Sequence, residues 1–93
     1  MTGKKNELFI PQWMIVFAGC DGENSIAEIT YRNKLSYCNV SRLAQKMFDK
    51  GLLLYRTGKD NRRKLYYPSQ KAELYQKQVR DMVDKHRELD LND

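Results

Sequence analysis

The densest run of cations in this sequence is GKDNRRKLYYPSQK, where Lys59, Arg62, Arg63 and Lys64 surround a cluster of Gly, Lys, Asp and Asn suited to a reversing turn. Taken alone, such a run is most often a solvated loop. A second polar set upstream changes that reading: Tyr37, Asn39, Ser41, Arg42, Gln45 and Lys46 lie within SYCNVSRLAQKMFDKG. Arg can grip guanine in a bidentate manner, Gln can do the same for adenine, and Ser or Tyr can reach phosphate or base edges. No nucleophile-base pairing, Gly-rich phosphate loop or paired-carboxylate arrangement is legible, so no catalytic residue is assigned and the chain reads as a non-enzyme. His86 is the only histidine and has no Cys or acid at ligand spacing, so neither a metal nor another cofactor is expected. Cys20 and Cys38 default to reduced thiols, with a disulfide left open.

The elements that must position these groups can be read from the same string. Ninety-three residues make one domain, 1–93, with a small core drawn from one Trp, six Tyr, three Phe and the aliphatic residues. Seventeen Lys and Arg against twelve Asp and Glu give a net charge of +5, which suits an anionic partner without choosing its kind. The longest apolar run, WMIVFAGC, is far short of the ~20 residues of a membrane helix, and MTGKKNELF lacks the pattern of a signal peptide. A cytoplasmic protein with no membrane partner is expected, in the host cytoplasm if the source is viral.

A first helix is predicted over 11–18, opened by Pro11 and stopped near Gly19. Ser25 and Glu28 have capping-box spacing for a short second helix. After a tight turn at Leu35, Ser36 caps a third helix over 37–50 that ends at Gly51. Its 3.6 periodicity sends Val40, Leu43, Ala44 and Met47 to the core and leaves Tyr37, Ser41, Arg42 and Gln45 outward. Strands are predicted over 53–57 and 64–67, with Pro68 shortening the second. Ser69 is predicted to cap a long last helix, QKAELYQKQVRDMVDKHREL. Along it Tyr75, Val79, Met82, His86 and Leu89 recur at steps of four and three, an apolar seam on a charged rod. Trp13, in an apolar helix, is read as core.

The order is helix, short helix, turn, helix, basic hairpin, helix: a mostly helical α+β winged helix-turn-helix, with its core over 7–68 and the last helix over 69–90. Residues 10–74 resemble the MarR-type winged-helix regulators. IPQWMIVF is similar to that family's opening helix, SIAEIT to its second, and NVSRLAQKMFDKGLLLYR to its recognition helix and the Gly-Leu entry to its wing. The family's wing signature is Asp, one residue, Arg, five residues, Leu-Thr. Asp60, Arg62, Pro68 and Ser69 stand at those positions, so the spacing matches while the final pair departs from it. In length and layout the chain also resembles the small winged-helix proteins of archaeal spindle-shaped viruses. The resemblance implies a wing carrying Lys59, Asp60, Arg62, Arg63 and Lys64 beside the minor groove, with Asp60 paired to Arg62 to shape the tip.

Expected partners are double-stranded DNA, at a pseudo-palindromic site, and a second copy of the chain joined through Tyr75, Val79, Met82, His86 and Leu89, which no later element covers. A protein-interaction module of winged-helix fold is the competing reading.

Overall fold

The computed structural model describes residues 10–59 and 62–90, with residues 89 and 90 in backbone only. Three helices come first: α1 (Gln12–Gly19), α2 (Ile26–Asn33) and α3 (Tyr37–Asp49). An antiparallel hairpin of β1 (Leu53–Thr57) and β2 (Lys64–Pro68) follows, then a single 3-10 turn (Gln70–Ala72) and the long α4 (Glu73–Asp90). This is a winged helix-turn-helix.

Local chemistry explains most of the boundaries. Pro11 precedes α1 in extended backbone, so the helix starts one residue later than predicted. The Ser25 hydroxyl accepts from the Glu28 amide at 3.3 Å while the Glu28 carboxylate accepts from the Ser25 amide at 2.7 Å, a complete capping box for α2. That helix stops at Lys34, whose φ of 55° turns the chain sharply, with the Leu35 amide donating back to the Thr30 carbonyl at 3.0 Å. The Ser36 hydroxyl then accepts from the Asn39 amide to open α3. Gly51, at φ 80°, closes it. The Gly51 amide donates to Phe48 and the Leu52 amide to Met47, the paired bonds of a left-handed helix stop.

Two expectations at the end of the hairpin are corrected. β2 continues through Pro68, which pairs with Leu53; both strands of a two-stranded sheet are edges, where proline is tolerated. The Ser69 side chain does not cap the last helix. Its hydroxyl donates to the Gly51 carbonyl at 2.7 Å, tying the end of the hairpin to the end of α3, and a 3-10 turn opens α4 instead.

One core joins every element. Val16, Phe17 and Cys20 of the first helical segment meet Ile29, Val40, Ala44, Met47, Leu53 and Tyr66, and α4 closes over them with Ala72, Val79 and Val83. Fully burying a side chain such as Phe17 or Leu53 contributes about 1.5–3 kcal/mol. Trp13 is half-buried against this core and stacks on Tyr75, with ring centroids 6.4 Å apart. Gly19 lets α1 and α2 approach closely, since a Cβ there would lie 3.3 Å from Ile29.

The seam on α4 is corrected in its phase. Val79 is 1% exposed and belongs to the chain's own core, so it cannot serve a partner. The buried face of α4 consists of Ala72, Gln76, Val79 and Val83. Gln76 is tolerated there because its amide donates to the Phe17 and Cys20 carbonyls at 3.0 and 2.6 Å, satisfying the open end of α1. Tyr75 and Met82 flank this face and remain 43% and 50% exposed, and His86 is half-buried. The side chain of Leu89 lies outside the described residues.

Candidate nucleic-acid interface

Helix α3 divides as its sequence predicts except at Leu43 and Ser41, assigned to the core and the exterior respectively, which are both half-buried. Val40, Ala44 and Met47 are buried and Leu43 is half-buried, which turns Tyr37, Arg42, Gln45 and Lys46 to the exterior; Ser41 and Asn39 are half-buried. Two of the exposed side chains, Arg42 and Gln45, are held by bonds along the helix. The Arg42 guanidinium donates to the Asn39 side-chain oxygen at 2.9 Å, and the Gln45 amide donates to the Asp49 carboxylate at 3.0 Å. Both bonds span one helical turn, the spacing at which side chains of a helix meet. A shallow concavity of about 520 Å³ lies along this face, lined by Tyr37, Cys38, Ser41, Arg42, Gln45, Lys46 and Asp49.

The hairpin stands beside that face. A second concavity, of about 420 Å³, is lined by Ser25, Ile26 and Ala27, by Tyr37, Ser41 and Gln45 of α3, and by Arg62, Arg63 and Lys64 of the hairpin. Three residues of each set singled out in the sequence therefore meet in one concavity, while Lys59 lines a separate one with Glu23 and Glu28. Lys59, Arg62, Arg63 and Lys64 are all exposed. Tyr55 of β1 packs between Phe48 of α3 and Tyr66 of β2, at 5.4 and 5.7 Å between ring centroids. The Lys64 ammonium sits 4.8 Å above the Tyr55 ring, so this cation is engaged by the hairpin itself. Asp60 lies outside the described residues.

Glu28, which closes the capping box of α2, has the charge environment expected of a capping carboxylate. The Ser25 amide bound by Glu28 holds that carboxyl below the usual range, burial opposes this, and Arg63 and Arg32 reinforce it. Cys20 and Cys38 are free thiols. Cys20 is buried, and burial with the adjacent Asp21 carboxylate pushes it up to about 12; Cys38 is exposed on α3. Among the described residues, no three His, Cys, Asp or Glu side chains gather as a metal site, and no helix is long and apolar enough to cross a membrane.

Asp49 of this surface and Arg56 of β1 escaped the sequence reading. Asp49 carries no motif, and only its position one turn beyond Gln45 could have suggested their bond. Arg56 bonds to Gly22, 34 residues away, and no local pattern announces that pairing.

A helix-turn-helix whose second helix turns a polar face outward, with a cationic hairpin beside it, defines a winged-helix chain of the kind built around a recognition helix and a wing. No family model matches it, and no curated protein matches its sequence. Among solved structures the fold is that of MarR-type winged-helix regulators. A cysteine-to-serine mutant of ZitR from Lactococcus lactis aligns at TM-score 0.70 and 15% identity over 90% of this chain and 59% of its own. The transcriptional regulator BldR of Sulfolobus solfataricus aligns at 0.63 and 13% identity, over 90% and 63% of the respective chains. Apo MarR from E. coli aligns at 0.66 and 19% identity, over 94% and 69%. At these identities the likeness is one of fold. The chain spans about six-tenths of the length of the ZitR and BldR chains it matches.

Proposed function

We propose that the chain is a sequence-specific double-stranded DNA-binding transcriptional regulator that acts as a homodimer. The observation that carries this reading is the concavity in which Tyr37, Ser41 and Gln45 of α3 face Arg62, Arg63 and Lys64 of the hairpin. A helix with a donor-rich face fits the major groove, and a basic hairpin set beside it reaches the minor groove and neutralises phosphates. Arg42 and Gln45 are the base-reading candidates, because their side chains are already oriented by Asn39 and Asp49 and lose less freedom on binding. Tyr37, Asn39, Ser41 and Lys46 support them at base edges and phosphates, while Lys59, Arg62, Arg63 and Lys64 are the wing contacts.

The dimer is supported by Tyr75 and Met82, large apolar side chains left exposed one above the other on α4, with Tyr75 continuing onto Trp13. A two-fold pairing through this stripe sets two recognition helices on one face of the duplex, which favours a pseudo-palindromic site.

Labelled duplexes titrated across a salt series test the reading, beginning with a site selected from random sequence. The selected site is expected to bind at least ~10³ tighter than random duplex, with log affinity falling by about 0.9 for each neutralised phosphate per decade of salt. Affinity no better than that of an unrelated protein of equal charge rejects the regulator and leaves the interaction module.

A further inference from the structure

We propose that Arg56 is the positioning residue of the wing, and that its guanidinium, forked onto the Gly22 carbonyl, sets the angle between the hairpin and α3. An isolated two-stranded hairpin is marginal and free to swing about its base. Here the base is fixed, because Leu53 and Tyr66 are buried and Tyr55 rests against Phe48 of α3, whereas Arg56 and Thr57 beyond it are exposed. A contact from outside the hairpin to this segment would set its angle.

Gly22 bonds to both strands, to β2 at the buried base and to β1 at Arg56 above it. Its amide donates to the Tyr66 carbonyl of β2 at 2.8 Å, and its carbonyl accepts from Nε and Nη2 of Arg56 on β1 at 3.2 and 2.6 Å. The residue can face the hairpin in this way because its φ is 82°, a conformation that glycine adopts without penalty. A Cβ there would also lie 3.4 Å from Cβ of Tyr67 and 3.9 Å from Nη2 of Arg56.

The loop that presents Gly22 is itself held. The Asp21 carboxylate accepts from the amides of Glu23 and Asn24 at 2.9 and 3.1 Å, and Ser25 then begins the capping box of α2. The line from wing to recognition helix thus runs through Arg56, Gly22, the Asp21 turn, α2 and the Lys34 turn, all short and hydrogen-bonded. Glu23 lies 3.6 Å from Arg56, an exposed pair that adds little. A planar guanidinium directs two N–H groups at one oxygen, an orientation an ammonium cannot impose. The Arg56 side chain is 56% exposed, so its removal leaves the core intact.

For its effect on DNA the inference rests on the proposed function; for its geometry it does not. Cys38 is exposed and Cys20 is buried with a raised thiol, so spin labels on native Cys38 and on Lys59→Cys report the distance from α3 to the wing. Samples diluted with unlabelled chain remove distances between copies. A single narrow distance is expected, and Arg56→Ala should broaden and shift it with an almost unchanged melting temperature. An unaltered distribution overturns the proposal. On DNA, Arg62→Ala is expected to weaken binding in the native chain and to cause no further loss in the Arg56→Ala chain. Additive losses, with Arg56→Ala alone lowering the salt slope by about one unit, make Arg56 a direct phosphate contact and also overturn it. A native chain that binds no duplex rejects the proposed function, while the distance measurement still decides the role of Arg56.

Discussion

Helices α3 and α4 each bury one side and expose another, yet their sequences advertise those sides differently. On α3 the buried positions Val40, Ala44 and Met47 are apolar and the outward ones are polar, so hydrophobicity alone gives the phase. On α4 the buried positions are Ala72, Gln76, Val79 and Val83. Ala is a weak marker and Gln a contrary one, so the larger residues Tyr75, Met82 and His86 drew the predicted seam about one position to the side. A helix packed by hydrogen bonds as well as by contact can thus hide its core face. Large apolar residues then mark the flank that a second molecule can use.

Charges placed on α4 separate its two sides. Val79→Asp puts a carboxylate in the core and should cost more than about 4 kcal/mol, leaving the chain largely unfolded in a urea titration. If that variant folds normally and only loses its partner, Val79 belongs to the interface and the buried face of α4 is misplaced. A more modest loss is expected at the hidden polar member of the face. Gln76→Leu leaves the Phe17 and Cys20 carbonyls without their donor and should cost about 1–3 kcal/mol by the same titration. A stabilised Gln76→Leu chain would show that the amide is tolerated rather than needed.

Much of the fold was legible because its punctuation is local. Ser25 with Glu28, Ser36, and Gly51 each act within a few residues, and the helix boundaries and the hairpin followed from them. What could not be read depends on distant partners. The Ser69 hydroxyl turns to Gly51 instead of capping, Gln76 answers carbonyls of α1, and Arg56 finds Gly22. In the candidate interface the residue types and their outward direction were readable from periodicity. The bond of Gln45 to Asp49 and the seating of Lys64 on Tyr55 required the folded geometry.

Stability should respond least on the exposed flank. Met82→Asp is expected to shift unfolding by no more than about 0.5 kcal/mol at a dilution where the native chain is monomeric, while halving the mass measured by sedimentation at tens of micromolar. A native chain that is already monomeric there removes the dimer from the account.

Everything proposed for DNA depends on the outward face of α3 reading base edges, and Arg42→Ala, titrated on the selected site and on random duplex at one salt concentration, decides whether it does. The expected result is a loss of about 1–3 kcal/mol on the selected site and a much smaller loss on random DNA. Equal losses on both duplexes would contradict the claim, making Arg42 a phosphate contact and leaving α3 without its principal reader.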